Sequence, residues 1–137
     1  MCIRDSQRRD LNREKFKSEN LLAVLNNPES NANKNLKYLR NAMDIRSELQ
    51  QFHPCSEMKC LSKGRSDIVV IKRGKGPESV FAIHNMTENK INYQLNDNDL
   101  PKIIDNDFNT HDFLTSTKYN CKNISLDPFQ VIWLSAL

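Results

Sequence analysis

The stretch "SLDPFQVIWL", residues 125–134, carries the clearest strand pattern in the chain. Phe129, Val131 and Trp133 alternate with Gln130, Ile132 and Leu134. A period of two residues places these two sets on opposite faces of a strand. Because Trp133 stands near the end of an alternating apolar strand, we expect it in the core rather than stacked on a sugar.

Three earlier segments also predict strands. Residues 67–73 are rich in β-branched side chains, residues 79–85 are mostly apolar, and residues 90–96 alternate apolar with polar side chains. All three glycines of the chain fall in the turn-rich segments that flank residues 67–73. Five or more short strands joined by tight turns predict an antiparallel sheet or a small sandwich. Residues 97–112, rich in Asn and Asp, are expected to form a loop with one weak strand at 102–104.

The first half of the chain has a helical pattern instead. A short helix is predicted between residues 17 and 27, with Ser18 as its N-cap. Ser30 or Asn31 is the candidate cap for a second helix over 32–52, whose apolar residues recur every three or four positions. That spacing predicts one buried face, and His53-Pro54 is expected to end the helix. The sequence therefore predicts an α+β fold, with N-terminal helices over 7–53 and a β domain over 55–137.

Composition excludes several classes of function. The 137 residues suit one domain, and 20 Lys+Arg against 17 Asp+Glu leave a net charge of only +3. No nucleic-acid partner is expected, because phosphate binding depends on clustered cations. A basic cluster does occupy the first seventeen positions, but its first fifteen residues include no aromatic side chain. We see no signal-like or membrane-spanning apolar run, which predicts a cytoplasmic protein without a membrane partner.

The remaining reactive side chains do not form a recognisable site. The four cysteines are expected to be free thiols, without a zinc site or other metal. His53, His84 and His111 are too scattered for a ligand set, and the two Asn-x-Ser/Thr sequences are expected to arise by chance. The acidic residues of the 97–112 loop predict a solvated surface or a casual cation site rather than a catalytic pair. They are Asp97, Asp99, Asp105 and Asp107.

The order of the motifs carries a family resemblance. Four features follow one another along the chain. They are "RRDLNRE" at residues 8–14, the helix and the segment that ends it at 36–54, the strands at 80–95 and the final "PFQVIWL" at 128–134. This order resembles the C-terminal end of a sucrose phosphorylase-like glycoside hydrolase of the α-amylase superfamily. In that family an Arg-Asp-x-Asn-Arg motif, matched here by Arg9, Asp10, Asn12 and Arg13, lies late in a (β/α)8 barrel. The resemblance covers residues 7–137, whereas residues 1–6 look like a non-native leader.

The resemblance implies the tail of a catalytic barrel followed by an accessory β domain. It implies a retaining enzyme whose catalytic aspartate and glutamate lie upstream, so no residue of this chain is catalytic and no cofactor is needed. Arg9 is the substrate-binding residue, since its guanidinium would hydrogen-bond hydroxyls of the glucosyl unit. Phosphate or water would then resolve the glucosyl-enzyme intermediate. Arg8 stands where sucrose phosphorylases usually have glycine, so a glucosylglycerate-type or other glucoside phosphorylase fits as well as sucrose.

Other interpretations stay open at this point. Arg9 could merely pair with Asp10 or Glu14 on the surface. The chain could be a stand-alone helix-plus-β binding or interaction module, with the long helix as a lid. A third hypothesis, a basic-arm nucleic-acid binder, would require affinity that falls steeply with salt. The oligomeric state cannot be read from the residues.

Overall fold

The computed structural model describes residues 17–100 and 109–135. Helix α1 spans Ser18–Asn26 and helix α2 spans Asn31–Glu48, and only β-strands and short 3-10 turns follow within the described part. This arrangement confirms the predicted α+β fold, helices first and antiparallel sheets second. The chain divides into two compact units, residues 1–40 and 41–137, and the division falls inside α2.

In the first unit, the N-termini of α1 and α2 are capped in different ways. Lys17, with an extended backbone and no capping side-chain bond, is the N-cap of α1, so the prediction of Ser18 was wrong by one position. Ser30 does cap α2 as predicted, because its Oγ accepts the backbone N–H of Asn33 at 3.1 Å. The Ser30 hydroxyl also donates to the carbonyl of Val24 at 2.6 Å. These bonds join the end of α1 to the start of α2.

Helix α2 is shorter and more exposed than its sequence predicts. It ends at Glu48, Leu49 is extended, and a separate 3-10 turn spans Gln50–Phe52. No residue of α2 is buried, and Met43 is 67% exposed, which overturns the expected buried face. Beyond this end, the backbone carbonyls of Gln51 and His53 accept hydrogen bonds from the side chain of Arg73.

Eight strands lie within the described residues of the second unit. They are β1 Met58–Cys60, β2 Ile68–Arg73, β3 Val80–Asn85, β4 Ile91–Tyr93, β5 Asn109–His111, β6 Lys118–Asn120, β7 Ile124–Leu126 and β8 Val131–Ser135. A four-stranded antiparallel sheet has the order β1-β2-β3-β8. Two further antiparallel pairs, β4-β7 and β5-β6, complete the β part.

The hydrophobic core lies between the four-stranded sheet and the β4-β7 pair. Alternate residues of the sheet supply one side of it, namely Ile68, Val70, Phe81, Ile83, Ile132 and Leu134. The opposite side comes from Leu95, Leu100, Cys121, Ile124 and Leu126. The core is therefore that of the small sandwich that the sequence predicts.

The predicted strands at 67–73 and 79–85 are confirmed as β2 and β3, and that at 90–96 shrinks to β4. Residues 97–112 are not wholly loop, since β5 begins at Asn109, and the weak strand at 102–104 lies outside the described residues. The 125–134 stretch is interrupted: β7 ends at Leu126, a turn follows, and β8 begins at Val131. In that turn Phe129 has a φ of +55° and is 62% exposed, so its predicted place in the strand was wrong.

Trp133 is half-buried instead of lying in the core. Its ring packs on that of Phe52, with centroids 4.7 Å apart. The alternation in β8 is as predicted, but the Trp133 side faces away from the core cluster, and the segment after α2 covers it. No helix in the described residues is long and apolar enough to cross a bilayer.

Candidate functional site

The Arg-Asp-x-Asn-Arg motif at residues 9–13 lies outside the residues that the structure describes. Arg9, the predicted sugar-binding residue, belongs to residues 1–16, which are outside the described ranges, as are Asp10, Asn12 and Arg13. The role of Arg9 therefore stays a prediction. The same holds for the non-native leader at residues 1–6.

Two of the four loop aspartates can be placed, and both are in ion pairs. The Asp99 carboxylate is nearly buried, and its Oδ1 lies 2.7 Å from the Lys59 ammonium. Asp97 is exposed and pairs with Lys122. Asp99 is thus not the solvated residue that was expected, while Asp105 and Asp107 lie outside the described residues. In the described residues no group of three His, Cys, Asp or Glu side chains could hold a metal ion.

The three histidines occupy separate surroundings. His53 is exposed, and its Nδ1 accepts the backbone N–H of Cys55 at 3.2 Å. His84, on β3, is half-buried, and this desolvation lowers the pKa of its imidazole. His111 is exposed on β5, and its ring and that of Phe113 have centroids 6.4 Å apart and planes inclined at 70°.

The first of the two Asn-x-Ser/Thr sequences, at residues 85–87, has a structural role. Asn85 is 2% exposed, and its Nδ2 donates to the carbonyls of Asn89 at 2.7 Å and Asp127 at 2.8 Å. Its Oδ1 accepts both the backbone N–H and the hydroxyl of Thr87 at 2.9 Å. Asn85 and Thr87 therefore shape the β3–β4 connection, and a glycan could not reach the Asn85 amide in the folded chain.

The segment that follows α2 is fixed to the outer face of the four-stranded sheet. From β2, the Arg73 guanidinium donates to the carbonyl of Gln51 at 3.1 Å and to that of His53 at 2.7 Å. The Phe52 ring lies on Trp133 of β8, and the N–H of Gly74 donates to Glu57 at 2.9 Å. Gly74 has a φ of +81°, and a Cβ there would lie 2.9 Å from Cγ of Gln51. Residues 50–57 are thus held by side-chain and backbone contacts together. We call this set of contacts the Arg73 clamp, and residues 50–57 the clamped segment.

The last turn of α2 and the clamped segment form an open groove of about 750 Å³. Its apolar lining comes from Met43, Leu49 and Phe52. Arg46 and His53 stand at its exposed rim. A groove of this size, apolar with polar groups at the rim, is the usual form of a recognition surface.

A second, smaller cavity of about 390 Å³ is polar. Lys59, Lys72 and Lys75 line it, but Asp99 and Glu57 neutralise two of the three charges. The Lys72 ammonium donates to the carbonyl of Asp99 at 2.7 Å. The lysines of this cavity are therefore bound to groups of the chain itself.

No protein-family model and no curated protein sequence matches the chain. Among solved structures, it is similar to the crystal structure of AmyP in complex with maltose, with a TM-score of 0.63 and 17% identity over 78% of this chain. The chain shares the fold of that part of AmyP. It is also similar to trehalose-6-phosphate hydrolase (TreA) of Bacillus licheniformis, with 21% identity over 82% of this chain and a TM-score of 0.47. The chain spans about a fifth of the length of both proteins, 21% and 20%.

Sequence reasoning did not identify the Arg73 clamp or the groove. Arg73 contacts carbonyls 20 and 22 residues away, and no local pattern predicts such a partner. The Asn85–Thr87 network did have a local signal, because an Asn two residues before a Thr commonly closes a side-chain turn.

Proposed function

We propose that this chain is the C-terminal part of a retaining glucoside phosphorylase or glycosidase of the α-amylase superfamily, resembling sucrose phosphorylases. The observation that carries the proposal is the succession of two helices and a small antiparallel sandwich, which AmyP shares over 78% of this chain. The Arg-Asp-x-Asn-Arg sequence at 9–13 stands directly before these helices, at the place where the resemblance requires it. AmyP was solved with maltose, which agrees with a glucoside as the substrate class.

In this proposal Arg9 binds the glucosyl unit. Its planar guanidinium offers five donors, which suit neighbouring hydroxyls or a carboxylate that also holds the sugar. The sugar and, for phosphorolysis, a phosphate are the ligands of the intact protein. We propose neither a nucleic-acid nor a membrane partner. The exposed free thiols of Cys55 and Cys60 suit the reducing cytoplasm in which we place the protein.

The catalytic carboxylates belong, on this account, to the preceding barrel. A retaining mechanism needs a nucleophile and an acid that face each other at roughly 5 Å. Of the loop aspartates that the structure describes, Asp97 and Asp99 are each paired with a lysine, and the resemblance assigns a catalytic role to neither. We therefore expect the 137-residue chain to be inactive by itself.

The alternative is a stand-alone helix-plus-β interaction module. It is favoured by one observation, namely that residues 41–137 form a compact unit with a core of their own. The two hypotheses differ in what precedes the chain and in whether glucosides are cleaved.

The test is an activity assay on two proteins. One is the 137-residue chain, and the other is the protein encoded when the reading frame is cloned from source DNA together with its upstream sequence. We expect the longer protein to release glucose or glucose 1-phosphate from sucrose or a related glucoside, and the chain to release neither. Replacing Arg9 by Lys in the longer protein should lower kcat/KM by about tenfold or more, since a single point charge replaces the planar fork. A longer protein that cleaves no glucoside would contradict the proposal.

A further inference from the structure

We propose that the polar cavity beside strands β1 and β2 binds a phosphate group, either as inorganic phosphate or as a phosphate monoester. The cavity has a volume of about 390 Å³ and is lined by residues of β1, of β2, of the loop after β2 and of the segment before Leu100. The inference stands on this cavity alone and goes beyond the proposed function, since it involves neither Arg9 nor the catalytic carboxylates.

Two lysines of the cavity lie directly opposite each other in the sheet. Lys59 of β1 and Lys72 of β2 are register partners in the antiparallel ladder. Like charges in opposed positions destabilise a pair of strands. Asp99 relieves this repulsion only in part, because its carboxylate lies 2.7 Å from the Lys59 ammonium, whereas Lys72 donates to its uncharged backbone carbonyl, also at 2.7 Å. Asp99 therefore supplies one negative charge for two positive ones.

The Lys72 ammonium is held in place before a ligand binds. Its hydrogen bond to the Asp99 carbonyl uses one of its three donors, and the ammonium lies 5.4 Å from the centre of the Phe81 ring. Two N–H groups can still meet an anion. The side chain is also half-buried, so that a hydrogen bond from it to an anion is less screened by salt than one at the open surface.

The loop after β2 supplies a second ammonium. Lys75 lies between Gly74 and Gly76, whose φ angles are +81° and +61°. The Lys75 ammonium is 3.2 Å from the Glu57 carboxylate, and both side chains are more than half exposed. Because such exposed pairs contribute little to stability, Lys75 can exchange Glu57 for a ligand at small cost. A Cβ on Gly76 would meet no atom within 4 Å, so a ligand can approach the backbone of this loop.

A phosphate group matches this arrangement in its charge. Three lysines and two carboxylates line the cavity, which leaves a net charge of +1. If Glu57 turns towards the solvent, the net charge becomes +2, and a phosphate monoester carries about −1.5 to −2 charges at pH 7. Lysine binds phosphate as a point charge, and the amide of Asn98, which also lines the cavity, can donate to a phosphate oxygen. A neutral sugar would gain far less from two ammonium groups.

The test is an NMR titration of the isotope-labelled 137-residue chain with sodium phosphate, at an ionic strength held constant with sodium chloride. We expect saturable shifts of the amide signals of residues 72–76 and 98–99. The dissociation constant should be about 1–10 mM, as suits a small ligand held by a few charge-assisted hydrogen bonds. Shifts that do not saturate, or that spread evenly over the exposed lysines of the chain, would overturn the inference.

Two lysine variants provide a matched comparison. Lys75 and Lys63 are both exposed, but of the two only Lys75 lines the cavity. We expect Lys75→Met to weaken phosphate binding by about threefold or more and Lys63→Met to leave it unchanged. Lys72→Met should weaken binding by about tenfold or more, and its amide spectrum shows whether the fold is kept. Equal affinities of the Lys75→Met and Lys63→Met proteins would contradict the site, even if Lys72→Met does not fold.

A second titration, with glucose 1-phosphate, distinguishes the two sources of the phosphate group. An affinity about tenfold or more above that of inorganic phosphate, and weakened by Lys75→Met, would assign the cavity to a sugar phosphate. Equal affinities would assign it to the phosphate group alone. Both titrations use the chain without its upstream sequence, so their outcome is separate from whether the longer protein cleaves glucosides.

Discussion

At the scale of single residues, Asp112 joins the β5–β6 connection to the central sheet. Its side chain is fully buried, and Oδ1 accepts the backbone N–H groups of Trp133 at 2.7 Å and Leu114 at 3.2 Å. Oδ2 accepts the hydroxyl of Thr115 at 2.7 Å. One carboxylate therefore satisfies three donors, two of them on the backbone.

Replacing Asp112 by Ala should lower the free energy of unfolding by about 2–4 kcal/mol, because two backbone N–H groups lose their acceptor. Thr115→Val is the matched control: it removes one of the three donors to Asp112, together with the exposed bonds of that hydroxyl to Thr117, and should cost about 1 kcal/mol. Urea unfolding followed by circular dichroism measures both. An unchanged midpoint for Asp112→Ala would show that water replaces the carboxylate.

We predict that the buried thiol of Cys121 makes the protein less stable at alkaline pH. Its side chain is buried in the core, and burial raises the pKa of the thiol from its ordinary value near 9 to about 11. Below pH 9 the thiol is protonated in both states, so it adds no pH dependence. Between pH 9 and 11 the unfolded chain releases the proton and the folded chain keeps it, so stability falls as pH rises.

This alkaline loss should amount to roughly 2 kcal/mol and should be absent from Cys121→Ala. Burial also raises the pKa of Tyr93 and Tyr119, so the parent protein and the variant must be compared at each pH. The measurement is urea unfolding at pH 8, 9, 10 and 11. Parallel stability curves for the two proteins would refute the assignment of this effect to Cys121.

At the scale of elements, the sequence identifies strands where the pattern is local. The alternation of Ile132 and Leu134 with Trp133 and the β-branched run of β2 are properties of consecutive residues. Strand β2 is found where predicted, and β8 forms the last part of the predicted stretch. The sequence pattern does not reveal how the segment after α2 is held, because Gln51 and His53 bond to Arg73, which lies 22 and 20 residues away. Strand β5 was missed for a similar reason: its polar residues Asn109 and His111 are strand because they pair with β6.

The Arg73 clamp makes the order of the segment after α2 depend on Arg73 of strand β2. Arg73→Met keeps the apolar stem but removes both hydrogen bonds to the carbonyls of Gln51 and His53, which should cost about 2–3 kcal/mol. Lys75→Met is the control, because the Lys75–Glu57 pair is exposed and such pairs contribute little. Thermal unfolding should separate the variants, and exchange should rise in residues 50–56 of Arg73→Met alone. Equal effects of the two substitutions would contradict the clamp.

At the scale of the whole molecule, the two units differ in how much they bury. Neither helix contains a buried residue, whereas the second unit contains the entire described core. Sequence periodicity predicted a buried helix face because it reports apolar spacing and not what the face meets. The candidate sugar-binding residue, Arg9, came from resemblance alone, and the groove became visible only in three dimensions.

Removal of residues 1–30 should therefore leave the stability of the rest unchanged. The deleted part includes α1, none of whose residues is buried, and Ser30, whose capping bond stabilises the start of α2 in the first unit rather than the described core of the second unit. We expect the chain 31–137 to unfold cooperatively at the midpoint of the full chain, within about 0.5 kcal/mol. The self-contained module predicts instead a cooperative transition that is lost when α2 itself is removed, and a shifted midpoint for the chain 31–137 would contradict the unchanged stability expected here.

The central claim is that this chain is the end of a longer glucoside-cleaving enzyme, and the most direct test is the source DNA upstream of the Gln7 codon. We predict that the open frame continues there, without the sequence of residues 1–6, and encodes a (β/α)8 barrel with an aspartate and a glutamate at strand ends. A stop codon in frame shortly before a genuine Met1 codon would contradict the claim, and the chain would then be a small module in its own right.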